Sequence, residues 1–104
     1  MIFSFIAVVF KSEEAKTAFV NIYKVEADFV KHHEQNTLSY ELAISDANPL
    51  EGILIERFTD KDAYFAHKKA DVFVKFRKEL QALQDEGSVS MRGQSYIDSN
   101  LGFV

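Results

Sequence analysis

The sequence predicts an α+β domain in the order β-α-β-β-α-β, with a four-stranded antiparallel sheet carrying both helical regions on one face. Three observations carry this. Met1 to Phe10 is a short apolar run rich in β-branched and aromatic residues. Two stretches, Ser12 to about His33 and Asp60 to about Gly87, repeat apolar residues at helical spacing. Between and after them, Thr37 to Ser45, Gly52 to Phe58 and Val89 to Asp98 read as strands. That order is the split-βαβ, ferredoxin-like arrangement.

In Met1 to Phe10 both alternating sets are apolar: Met1, Phe3, Phe5, Ala7 and Val9 on one face, Ile2, Ile6, Val8 and Phe10 on most of the other. A strand of that kind is covered on both faces. Ser12 offers a helix N-cap, and Glu13 and Glu14 fall in the first turn, where the helix dipole favours negative charge. Ala15, Ala18, Phe19, Ile22, Tyr23, Phe29 and Val30 then mark the buried stripe of the first helix. Glu34-Gln35-Asn36 is a short connection. Thr37 to Ser45 alternates, with Leu38, Tyr40, Leu42 and Ile44 on one face. Asp46-Ala47-Asn48-Pro49 is turn chemistry, which makes the next strand its antiparallel hairpin partner.

Thr59 with Asp62 three residues on matches a capping box and opens the second helical region. A short segment, Asp60 to Lys68, precedes a longer helix striped by Val72, Phe73, Phe76, Leu80 and Leu83. In the last strand Gly93 marks a bulge. The reading is one domain, 1–104, with a core to residue 98 and a tail, 99–104, whose Leu101, Phe103 and Val104 are unusually apolar for a terminus. The first strand and the Ile53/Ile55 pair leave apolar side chains on the helix-free face, so a second copy of the chain is its expected cover, as a homodimer.

At 104 residues and 47% hydrophobic, with 27% charged, the chain suits a globular domain. A net charge of −4 without a cluster of Lys or Arg argues against nucleic acid. Cysteine is absent, which removes disulfides, thiolate metal sites and a cysteine nucleophile, and suits a cytoplasmic setting. The apolar N-terminal run is about half the ~20 residues of a bilayer span and lacks signal-peptide flanks, so no membrane association is expected.

Few residues remain for chemistry. His32 and His33 are adjacent, so their side chains point roughly 100° apart on a helix and do not chelate one metal; they read as surface groups near a helix C-terminus. His67 ends the short helical segment, placed to look between helices and sheet, either as a functional group or as a structural one bonded to a loop carbonyl. Alternation puts Glu56 between Leu54 and Phe58. If that face is buried its pKa rises; if that strand end is wet, Glu56 is simply solvated. Tyr23, Tyr40, Tyr64 and Tyr96 each read first as a core aromatic with a polar tip. No phosphate loop, GxSxG, HExxH or acidic cation cluster is present, so neither a metal nor an organic cofactor is expected. A greasy pocket with few polar groups suits a small aromatic substrate.

Two stretches resemble the antibiotic biosynthesis monooxygenase family. HEQNTLSYELAIS is similar to its E-x-G-x-L-x-Y-x-L/V strand entry at Glu34, Leu38 and Tyr40. ILIERFTDKDAYFAHKKADVFVKF is similar to its E-x-W/F-x-D-x-x-A-x-x-x-H-x-x-x-x-x-F segment at Glu56, Phe58, Asp60, Ala63, His67 and Phe73. The resemblance implies a dimeric α+β barrel joined sheet to sheet, with one pocket per protomer. It also implies cofactor-independent oxygenation of anthrones or quinols, in which the substrate's own anion meets dioxygen. The chain departs from the family at set points. Leu54 and Phe58 stand where anthrone-oxidising relatives have Asn and Trp, while Tyr64 matches their tyrosine. Asn36 replaces the strand-entry Gly. The helical His ligand of haem-degrading relatives is matched by Arg77, which argues against haem breakdown.

The resemblance thus implies a monooxygenase using His67 as general base or relay, with Tyr64 and Glu56 orienting the substrate and Phe58, Leu54, Tyr23 and Phe73 forming its pocket. The alternative is a non-catalytic barrel that binds or senses a small molecule.

Overall fold

A computed structural model describes residues 1–103 and resolves the predicted order into seven elements. They are β1 (Ile2–Phe10), α1 (Glu13–His33), β2 (Thr37–Ile44), β3 (Glu51–Phe58), α2 (Lys61–Lys69), α3 (Asp71–Asp85) and β4 (Val89–Ile97). The strands form one antiparallel sheet in the order β2-β3-β1-β4, with the helices on one face.

Side-chain alternation decides what that face buries. β1 contributes Ile2, Ser4, Val8 and Phe10, and β3 contributes Leu54, Glu56 and Phe58. Against them α1 packs Phe19 and Tyr23, and α3 packs Phe76 and Leu80. Phe10, Phe19 and Phe76 meet at 5.5 and 6.2 Å between ring centroids around Phe19. Ser12 caps α1 as expected, its hydroxyl accepting from the Ala15 N–H at 3.1 Å. No helix among the described residues is long and apolar enough to cross a membrane.

Three local expectations are corrected. The cap of α2 is Asp60, not Thr59: the Asp60 carboxylate accepts from the Ala63 N–H at 2.8 Å. Thr59 is engaged elsewhere, its N–H donating to the Asn36 carbonyl at 3.0 Å and tying the strand end to the connection after α1. Gly93 marks no bulge, because β1 and β4 pair without interruption from Ile2/Ile97 to Phe10/Val89. Glycine is needed there for close approach: a Cβ at Gly93 would lie 2.3 Å from the Phe5 carbonyl oxygen and 2.6 Å from the Ile6 Cα. The irregularity lies instead in β2, where Thr37 faces Phe58 and Ser39 faces Arg57. The extra residue is Leu38, which is turned out of the buried set and is 52% exposed.

Among the described residues no helix covers the opposite face of the sheet. Phe3 stacks on Phe5 at 6.2 Å, Tyr96 meets Phe5 edge-on at 5.8 Å, and the Arg57 guanidinium lies 5.1 Å from the Phe3 ring. In the tail Leu101 and Phe103 are solvent-exposed; Val104 lies outside the described residues.

Candidate active site

The break between α2 and α3 shapes the site. Ala70 is extended, with φ −62° and ψ 139°, and serves as the last cap of one helix and the first of the next. The two helices diverge there and leave a cavity of about 440 Å³ over the sheet. β1 supplies Ser4 and Ile6 to its floor, β2 supplies Tyr40, and β3 supplies Leu54 and Glu56. The walls include Tyr64, His67 and Lys68 from α2 and Phe73, Phe76 and Arg77 from α3. Apolar and aromatic surface predominates, with a few polar groups converging on it, the composition of a small-molecule site.

His67 is 2% exposed and ringed by aromatics, with centroids at 5.0 Å to Phe73, 5.2 Å to Tyr40 and 5.4 Å to Phe58. Its Nδ1 lies 2.8 Å from Glu34 Oε1 and 3.1 Å from Oε2. A carboxylate can only accept, so Nδ1 carries the proton and Nε2 keeps its lone pair. Burial lowers the imidazole pKa below its ordinary value, with Lys68 adding to the effect and Glu34 opposing it. The result is a neutral base held in one tautomer. Glu34 is itself fixed by the Thr37 hydroxyl, which donates to Oε1 at 2.8 Å.

Nε2 faces a second acid. Glu26, from the buried side of α1, is 0% exposed and its Oε1 sits 3.6 Å from Nε2. The same carboxyl accepts a hydrogen bond from the Tyr40 hydroxyl. Its pKa is pushed up to about 8, chiefly by burial, with repulsion from Glu56 and Glu34 adding and the Tyr40 bond opposing. Glu56 is buried too and is pushed up to about 7 by burial, Glu34 adding and Lys68 opposing. Three buried polar atoms, Tyr23 Oη, Glu26 Oε2 and His67 Nε2, have no hydrogen-bond partner among the described residues. Burial, followed by the carboxylates at Glu56 and Glu26, raises the Tyr23 and Tyr40 hydroxyls far above the ordinary phenol range in a different order for each: Glu56 leads for Tyr23 and Glu26 for Tyr40.

Of the residues singled out by sequence, the cavity brings together His67, Tyr64, Glu56, Leu54 and Phe73. Phe58 stands behind that wall, fully buried, with its ring 5.3 Å from Tyr64 and 5.4 Å from His67. Tyr23 lies deeper, stacked at 5.5 Å on Tyr40, and borders a separate groove between α1 and β2. Sequence reasoning passed over Glu26 entirely and assigned no chemical role to Glu34 or Tyr40. The signal for Glu26 was available: Phe19, Tyr23, Glu26 and Val30 step by four, three and four residues along one helical stripe.

The family model described as antibiotic biosynthesis monooxygenase matches residues 2–79 of the chain. The chain belongs to the antibiotic biosynthesis monooxygenase family. Solved structures agree on the fold. A Nitrosomonas europaea protein classed with the antibiotic biosynthesis monooxygenases superposes with a TM-score of 0.75 at 16% identity, over 95% of this chain and 99% of that one. SnoaB, a cofactor-independent oxygenase from Streptomyces nogalater, gives 0.75 at 13% identity over 95% and 93%. A conserved protein from Methanosarcina mazei Go1 gives 0.74 at 16% identity over 95% and 94%. No curated protein matches the sequence. At these identities the structural likeness establishes the shared fold of this family member.

Proposed function

We propose that this family member is a cofactor-independent monooxygenase of the cytosol that oxidises a small quinol-like or polyphenolic substrate with dioxygen. One observation carries the reading: a buried, neutral, single-tautomer imidazole stands in the wall of an apolar cavity beside two acids of raised pKa. That is the equipment for taking a proton from a weakly acidic aromatic and later returning it.

The substrate's ring lies among Leu54, Phe73 and Phe76, with Phe58 and Tyr23 backing the wall. His67 takes a proton, and Tyr64 and Glu56 orient the substrate's oxygen. Lys68, whose ammonium sits 4.3 Å from the centroid of the Tyr64 ring, and Arg77 offer positive charge to the anion that forms. The delocalised anion passes an electron to dioxygen and the pair recombines as a C–O–O⁻ peroxide. Loss of the remaining hydrogen on that carbon, with protonation of the distal oxygen, leaves a new C=O and releases water. One oxygen atom stays in the product, and the substrate supplies all four electrons. Exclusion of bulk water protects the anion.

The substitution of Leu54 and Phe58 for the Asn and Trp of anthrone-oxidising relatives favours a second reading, a barrel that binds such aromatics without turnover. Oxygen uptake with a panel of naphthohydroquinones and anthrones, without added metal, flavin or haem, separates the two. Consumption that is lost in His67→Ala supports the enzyme, and saturable binding with no uptake supports the sensor. In either reading the protein is a homodimer closed through the helix-free face of the sheet.

A further inference from the structure

His67 borders two separate spaces. One face of its environment is the substrate cavity; the other is a cleft of about 440 Å³ lined by Phe29, His33, Glu34, Asn36, Ala63 and Ala66 among others. Glu34 belongs only to the second. Its side chain is 15% exposed, whereas those of Glu26 and His67 are 0% and 1% exposed. Groups able to carry a proton stand in series between the two spaces, hydrogen-bonded except at one 3.6 Å step between Glu26 and His67. Tyr40, which lines the cavity, is hydrogen-bonded through its hydroxyl to Glu26. Glu26 Oε1 is 3.6 Å from His67 Nε2, and His67 Nδ1 is 2.8 Å from Glu34 Oε1.

From this juxtaposition we propose that Tyr40, Glu26, His67 and Glu34 form a proton path joining the substrate cavity to the second cleft, with Glu34 as its solvent end. The proposal rests on the preceding reading for its purpose, which is to move a substrate proton. Its existence is testable without a substrate.

The path explains features that the oxygenation chemistry alone leaves idle. A carboxyl buried without any exposed atom costs stability unless something is gained, and Glu26 has an oxygen with no partner as well. Placed between Tyr40 and His67, it is a donor and acceptor in series. An outward step moves one proton from the Glu26 carboxyl to Nε2 while Nδ1 gives its proton to Glu34. The imidazole then carries its proton on Nε2. The inward step reverses both transfers and restores the starting tautomer. A half-turn of the ring in the Nε2–H state, after Glu34 has released its proton to solvent, instead hands the Glu26 proton to Glu34. By that turn the carboxyl exchanges with solvent. The proposed oxygenation releases one proton early and consumes one when water leaves, so an out-and-back path closes its own balance. The charged groups facing it are Glu56 and Lys68 on the cavity side, with the Tyr23 hydroxyl near the Glu26–Glu56 pair. The cavity meanwhile stays filled by substrate, because the solvent contact is made on the far side of His67.

The test is hydrogen–deuterium exchange of the buried carboxyl, followed by rapid-mixing infrared spectroscopy on the full-length protein at slightly acid pH. The carbonyl band of protonated Glu26 is identified by its loss in Glu26→Gln. In the wild-type protein it shifts quickly on mixing with deuterated buffer. Glu34→Gln keeps the size of the side chain and an acceptor for Nδ1 but cannot take a proton, and it should slow that shift about 10²-fold, the lower end of what a positioned proton-transfer group contributes. Tyr40→Phe leaves the solvent end intact and should leave the exchange fast. Exchange in Glu34→Gln at the wild-type rate, or slow exchange already in the wild type, overturns the path. On an oxygen-consuming substrate, Glu34→Gln should also lower kcat with an enlarged solvent isotope effect and be rescued by small acids such as formate. A slowed carboxyl exchange with no oxygen uptake by any quinol retains the path and rejects the monooxygenase reading.

Discussion

At the scale of single residues the site depends on charges withheld from water. His67 is kept neutral by burial, and Glu26 is kept protonated by the same cause. His67→Ala removes the base, so turnover should fall about 10²–10⁴-fold. It also removes the ring N–H that Glu34 accepts, leaving that carboxylate the Thr37 bond alone, so folding stability should drop by roughly 1–3 kcal/mol. The rate must therefore be measured per folded molecule, with circular dichroism counting the folded fraction; an unchanged rate there would make the histidine purely structural. Glu26 gives a stability prediction with a definite sign. Its pKa is 4.5 ordinarily and about 8 in the folded protein, so the folded form holds a proton that the unfolded form has lost. The corresponding stabilisation is complete below the ordinary value and is lost as pH rises through the folded one. Glu26→Gln cannot titrate. Its Tm relative to wild type should climb steadily from about pH 5 to about pH 8, as read by thermal melts; a constant difference would mean that Glu26 is ionised throughout. Glu56 was legible at this scale because strand alternation has only two faces. Glu26 was not, because a glutamate in a helix reads as surface unless its place on the apolar stripe is checked.

Elements were more legible than their joints. Alternation and helical spacing located each strand and helix, since burial on one face imposes those periods directly. The errors fell where a backbone choice is made by distant partners. Thr59 and Asp60 both have capping chemistry; the Thr59 N–H paired with the Asn36 carbonyl keeps Thr59 with the strand end, and the chain enters the helix at Asp60. Asp60→Ala should therefore lower stability by about 1 kcal/mol, whereas Thr59→Ala should cost little. Leu38 fits the alternation of β2 perfectly well in sequence, and the bulge that expels it is set by register against β3. Gly93 looked like a bulge because a strand glycine has two explanations, and its neighbour on β1 decides between them. Gly93→Ala must push the Phe5–Ile6 backbone away, and a loss of about 1–3 kcal/mol is expected by chemical denaturation. Stability within about 0.5 kcal/mol of wild type would mean that the two strands part more readily than their pairing suggests.

The whole molecule is shaped by what its sheet leaves uncovered on the side away from the helices. Across the helix-free face the register aligns Glu41, Ile55, Phe5 and Gln94 in one row, and Ala43, Ile53, Ala7 and Arg92 in the next. In both rows the two middle positions are apolar, Glu41, Gln94 and Arg92 put polar and charged groups on the edge strands, and the charges of β3 on this face, Glu51 and Arg57, fall at its two ends. This is the layout of an interface with a dry centre and a wet rim. Solvent on such a face would leave Phe3, Phe5, Ile53 and Ile55 uncovered together, whereas a second copy covers all four at once under twofold symmetry. The expected state is therefore a dimer at micromolar concentration, burying more than about 2,000 Å² in total if the protomers depend on each other. Phe5→Glu places a carboxylate at the centre of that face, opposite its own copy or close to it, while the helix side of β1 keeps Ile2, Val8 and Phe10 in the core. Light scattering should report the mass of two chains for the wild type and of one for Phe5→Glu, with the variant retaining its helical content. A wild-type protein that scatters as a single chain would refute the assembly and require another cover for the aromatic pair at Phe3 and Phe5.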